Sequence, residues 1–102
     1  MLVIKNLSKM IKEEIADANK YANCAIKHRW DDKDLADTFY ELANEELEHM
    51  EKLHGQVVRI INVYRKEKGD PPPAMQAIYD YLHEEHMAAV KEVKMVLAMY
   101  KV

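Results

Sequence analysis

All three prolines of this chain and one of its two glycines fall in a single short stretch, Gly69-Asp70-Pro71-Pro72-Pro73. Proline lacks the amide that an α-helix needs and clashes with the preceding turn, so this stretch ends whatever helix runs into it. Everything before and after it is free of proline, which leaves two long segments able to be helical throughout. The other glycine, Gly55, costs a helix about 1 kcal/mol relative to alanine. A bend, a close helix contact or an early helix end is expected there. A second boundary lies at Arg29-Trp30-Asp31-Asp32-Lys33, where either aspartate can cap a new helix by accepting bonds from its first free amides.

The apolar residues between these boundaries recur at alternating three- and four-residue steps, the signature of amphipathic helices. Helix 1, about residues 4 to 28, carries Leu7, Ile11, Ala18 and Ala25, with Glu14 and Tyr21 filling the series. Helix 2, about 33 to 67, carries Leu35, Phe39, Leu42, Leu53, Ile60 and Val63, with Glu46, His49 and Gln56 at the remaining steps. Helix 3, about 74 to 101, offers Ile78, Leu82, Ala89, Val93, Val96 and Tyr100. No stretch alternates as a strand would. The expected fold is all-α, one domain of three helices, with short connections that make successive helices antiparallel.

At 102 residues the chain is near the size where dimerisation commonly adds needed burial. Its 15 basic and 18 acidic residues, a net charge of −3, include no basic block suited to nucleic acid or an anionic membrane. Cys24 has no second cysteine to pair with, and the opening Met1 to Ile4 run meets Lys5 before it can form a signal-peptide core. The longest apolar run, Met95 to Tyr100, is far short of the roughly 20 residues needed to span a bilayer. A cytoplasmic protein with no membrane and no nucleic-acid partner is expected.

Glu14, Glu46 and His49 stand on the faces that their apolar neighbours would bury, where a lone carboxylate is costly. Glu46 and His49 are three residues apart and project from one side of helix 2. Glu14 lies fourteen residues before the end of helix 1 and Glu46 thirteen after the start of helix 2; at ~1.5 Å per residue both are about 20 Å from the turn. The three therefore come level in an antiparallel hairpin. A divalent cation would offset their desolvation, and mixed carboxylate and imidazole ligands suit iron or manganese better than a thiophilic ion. Di-metal carboxylate bundles take a Glu from each of two helices and a Glu-x-x-His from each of the other two. One hairpin supplies half of that set. A two-fold axis would complete it, so a homodimer or higher homo-oligomer is expected, with metal at the interface.

The run Glu45-Glu46-Leu47-Glu48-His49-Met50-Glu51-Lys52-Leu53 resembles the second-helix signature of the ferritin and rubrerythrin superfamily, E-E-x-E-H-x-E-K-L. The resemblance covers roughly residues 8 to 65 and implies that Glu46 and His49 bind iron. It also implies that Glu14 is the first-helix metal ligand and that Tyr21, seven residues on, is a hydrogen-bond or electron donor beside it. Beyond the proline stretch the pattern departs from a full-length member: a short loop and one helix replace a long crossover and two helices. Half-length members, the encapsulated ferritins, assemble their site from two subunits. The last helix is expected to run almost to Val102, leaving no extended tail of the kind those proteins use to enter a shell.

Five further residues are candidates for the same site. Asp17 and Glu45 flank the proposed ligands. In helix 3, His83-Glu84-Glu85-His86 is not the H-E-x-x-H peptidase motif, because its histidines are three apart rather than four. Glu85 or His86 would supply an intrachain ligand only if helix 2 stopped early; by height along an antiparallel helix 3, Glu92 fits better. His28, His54 and Cys24 have no paired ligand spacing. The function expected is oxidation of ferrous iron by dioxygen or peroxide at a di-iron centre, with Glu46 bridging, Glu14 terminal and His49 the imidazole. A manganese or zinc carrier without redox turnover is one alternative. A metal-free helical dimerisation module, in which the three residues form a buried polar network, is the other.

Overall fold

A computed structural model describes residues 2–101; Met1 and Val102, which enter the readings of the two termini above, lie outside it. Three helices make up the described chain: α1 (Leu2–His28), α2 (Lys33–Lys68) and α3 (Pro73–Lys101). Among the described residues there is no strand, and no helix is long and apolar enough to cross a membrane. The molecule is a rod of 56 × 18 × 17 Å. Its length is that of α2, whose 36 residues at ~1.5 Å each come to about 54 Å.

Both turns are built by the residues that marked them. Asp32 is the N-cap of α2, its carboxylate accepting from the Leu35 amide at 3.1 Å. Asp31 instead pairs with His28 Nδ1 at 3.2 Å, which ties the end of α1 to the turn. At the other end of α2, Gly69 takes φ +82°, a conformation that favours glycine, and its amide donates to the Arg65 carbonyl. Pro73 then opens α3, where a missing amide costs nothing. Gly55 makes neither a close contact nor an early end: α2 continues through it, and an added Cβ there would meet nothing within 4 Å.

α1 is the central helix. Its buried residues, Ile4, Ser8, Ile11, Ile15, Ala18, Ala22 and Ala25, span a wide arc because α2 covers one side and α3 the other. Ala18, Ala22, Ala25, Ala36 and Ala43 are fully buried, which lets the α1 and α2 backbones approach closely. A larger side chain at any of these positions would force the pair apart. α2 and α3 meet through polar and aromatic contacts: the Tyr100 hydroxyl donates to Asp37, Tyr40 stacks on Tyr100, and Arg65 donates to Gln76 at 2.7 Å. These pairings show α2 and α3 antiparallel, so α3 runs parallel to α1.

The buried stripes differ from the expected ones by a rotation. In α2 the buried residues are Ala36, Ala43, Leu47 and Met50, whereas Phe39, Leu42, Leu53 and Ile60 are only half-buried and Leu35 and Val63 are exposed. In α3 the buried set is His86, Val90, Val93 and Leu97, and Ile78 is exposed. The reason is the seating of α3 on the far side of α1. That leaves the outer α1–α2 stripe, which also includes Leu7, Met10 and Tyr21, without a covering element in one chain.

Candidate metal centre

Near the middle of that outer stripe, Glu14, Glu46 and His49 converge, each offering a ligand atom within 4.8 Å of the others. They form the one group of three or more potential ligand side chains this close among the described residues. His49 Nδ1 stands 3.5 Å from Glu14 Oε2 and 3.8 Å from Glu46 Oε2. Those separations are longer than a good hydrogen bond. They leave room for an ion that touches all three at the roughly 2.0–2.2 Å of a metal–ligand bond. Helix geometry explains the convergence: Glu46 and His49 share a face of α2, and the antiparallel α1 brings Glu14 alongside.

The electrostatics of the group are those of a site short of positive charge. Glu14 Oε2 is enclosed and has no hydrogen-bond partner. Glu46, with 18% of its side chain accessible, is pushed up to about 7. The largest cause is a hydrogen bond shared with Glu14, followed by burial and by the Glu14 charge, while His49 pulls the other way and Asp17 adds to the rise. Two ionised carboxylates can only accept and so repel, which is why the nearness of Glu14 favours the protonated form of Glu46. A bound cation would serve in place of that proton. His49 is half-exposed and faces outward over the group, so the open side of the cluster is toward solvent.

Of the other candidates, none supplies an atom to this group. Asp17 acts on Glu46 through its charge but is itself exposed, as is Glu45. Glu92 lies at the expected height yet on the wrong side. It shares a surface hollow with Lys12, Ile15, Ala16 and Asn19, a face of α1 turned about 150° from Glu14 at 3.6 residues per turn. Exposed Glu85 lines the same hollow, and His86 is buried between α1 and α3. Tyr21 stacks on Phe39 with ring centroids 6.1 Å apart. It sits two helical turns, about 10 Å, from Glu14 along α1.

One pairing was missed in the sequence. His54, given no role there, has its Nε2 3.1 Å from His83 Nδ1, across the α2–α3 seam. Twenty-nine residues separate the two, so no local spacing signals the contact. Comparisons with protein-family models, with curated proteins and with solved structures found no match.

Proposed function

We propose that this chain is a ferritin-like di-metal carboxylate protein that acts as a homodimer, binding iron and oxidising ferrous iron with dioxygen or peroxide. The observation that carries the reading is the three-residue cluster, in which Glu14 Oε2 is enclosed without a hydrogen-bond partner and Glu46 is held toward its protonated form. That arrangement is costly without a cation and favourable with one. The donor set, two carboxylates and one imidazole, fits iron or manganese.

The half-buried apolar stripe on either side of the cluster supports the second half of the proposal. A second copy laid on this stripe by a two-fold axis would cover Leu42 and Leu53 and bring its own Glu14, Glu46 and His49 to the first set. Four glutamates and two histidines would then hold two ions. When bound, the pair of irons supplies the electrons that reduce the oxidant. The protein's part is to fix the ligands, to let Glu46 give up its proton as the ions enter, and to keep the surrounding stripe dry. On this reading Tyr21, about 10 Å from Glu14 along α1, would serve as an electron donor rather than as a ligand.

Anaerobic ferrous titration followed by exposure to air tests the reading. The expected result is uptake of one iron per chain, oxidation on admission of air, and loss of both in Glu46→Ala. Stoichiometric metal without oxidation would leave a carrier. Absence of both binding and oxidation would leave a metal-free dimerisation module.

A further inference from the structure

We infer that the groove between the first halves of α1 and α3 binds a long-chain carboxylate, with the apolar chain laid toward the end of the rod and the head held beside Lys9 and Lys12. α3 buries no residue before His86. Over roughly its first three turns it stands off α1, and the two helices border a groove of ≈ 1090 Å³, at the top of the range for small-molecule pockets. Past His86 the hollow between them shrinks to ≈ 230 Å³, and Val93 and Leu97 join the common core. The groove is therefore a wedge, wide at the end of the rod and narrow at His86. From Leu2 to Lys12 it runs about 15 Å along α1, a length and taper that suit a single extended chain.

Its walls change character along that length. Leu2, Ile4, Met75 and Ile78 line the outer part, with Leu2 and Ile78 exposed; Ser8, Lys9, Lys12 and His86 line the inner part. Ser8 and His86, 8% and 7% exposed, are the two most deeply buried polar residues of the described chain, and both border this groove. Tyr79, whose enclosed hydroxyl has no hydrogen-bond partner, borders it too. Polar groups set in an apolar cleft are costly until something bonds to them. A carboxylate head accepts from the Ser8 hydroxyl and from a ring N–H of His86, which burial keeps neutral. Lys5, Lys9 and Lys12 share one face of α1 along the rim, and no carboxylate pairs with them among the described residues. Glu85 is the one acidic side chain on the walls, so the groove is positive although the chain carries −3. That charge selects an anionic head. Lys9 and Glu14 lie five residues apart, roughly 140° around α1, so the groove faces away from the carboxylate cluster and its stripe.

Calorimetric titration of dodecanoate, kept below its micelle-forming concentration, into the full chain tests the assignment, with dodecanol and dodecyltrimethylammonium for comparison. About one dodecanoate per chain is expected, with a rise in Tm. Dodecanol should bind more weakly and the cationic amphiphile more weakly still. Ile78→Glu sets a charge in the path of the apolar chain. Ile78 is exposed, so circular dichroism should be unchanged while dodecanoate binding falls by about tenfold or more. Lys9→Glu combined with Lys12→Glu should weaken dodecanoate by a similar factor and leave dodecanol as it was, a split that general damage to the fold would not produce. Equal binding of the anionic and cationic amphiphiles, or dodecanoate binding indifferent to Ile78→Glu, would overturn the proposal. So would the absence of saturable binding, which would leave the groove to a partner helix or a second copy.

Discussion

The carboxylate cluster and the histidine cluster both draw on α2, with His49 and His54 only five residues apart, yet they respond to protons in opposite ways. Glu46 is pushed up, chiefly by its bond to Glu14, so folding favours its protonated form. His54 and His86 are pushed down by burial, so folding favours their neutral forms. At about 100° per residue, five residues turn the helix by roughly 140°, which sends one cluster to the outer stripe and the other into the α2–α3 seam. One helix thus carries an open carboxylate cluster short of positive charge and, on another face, a histidine whose neutral form burial favours. Sequence neighbours on a helix share a chemistry only when they share a face.

The largest way to break this contrast is Glu46→Ala. It removes the carboxylate next to the unpartnered Glu14 oxygen, and iron affinity is expected to fall by about a hundredfold or more, with the His54–His83 contact unaffected; calorimetry with iron and the His54 and His83 ring signals in NMR check both halves. A somewhat smaller effect is expected from pH. Glu46 rises from 4.5 to about 7 on folding, so its contribution to metal-free stability is full below 4.5 and is lost as pH climbs through about 7. His54 and His86 contribute oppositely: their share is full above the ordinary 6.5 and is lost as pH falls below it. Thermal melts of the metal-free protein should therefore show Glu46→Gln gaining on the parent between pH 5 and pH 8. His54→Asn should instead remove a loss of stability that the parent suffers on acidification. With iron bound, the Glu46 slope should reverse, because protons and metal compete for the same oxygens.

Leu42→Gln sharpens the comparison on the outer stripe alone. Leu42 is half-buried one turn before Glu46, so removing its apolar end should weaken dimerisation about tenfold, or about 1.4 kcal/mol, without unfolding the monomer. Sedimentation with ferrous iron under anaerobic conditions reads that shift. The smallest effect expected is from Gly55→Ala. The position is exposed and open, so stability should rise by about 0.5–1 kcal/mol in urea melts, with iron binding intact.

Much of this was legible from the chain itself. The proline cluster and Asp32 set the helix bounds to within two residues, and equal heights above the turn brought Glu14, Glu46 and His49 together. Periodicity says which residues share a face, but it does not say which neighbour that face meets. Ile15, Ala22 and the small Ser8 widen the buried arc of α1, and that arc decides that α3 packs opposite the cluster, out of reach for Glu92. Phe39 reads as core by spacing and is half-buried, and Leu35 and Val63 are exposed, because α3 packs on the other side of α1 and no described element covers that stripe. His54 and His83 are joined only by the antiparallel register of α2 and α3, a tertiary fact with no local trace.

Native mass spectrometry of the protein loaded anaerobically with ferrous iron tests the central claim most directly, since it reads assembly and metal count together. A dimer carrying two irons, falling to a metal-poor monomer in Glu46→Ala, is the expected result. A monomer that stays iron-free under the same loading would contradict it.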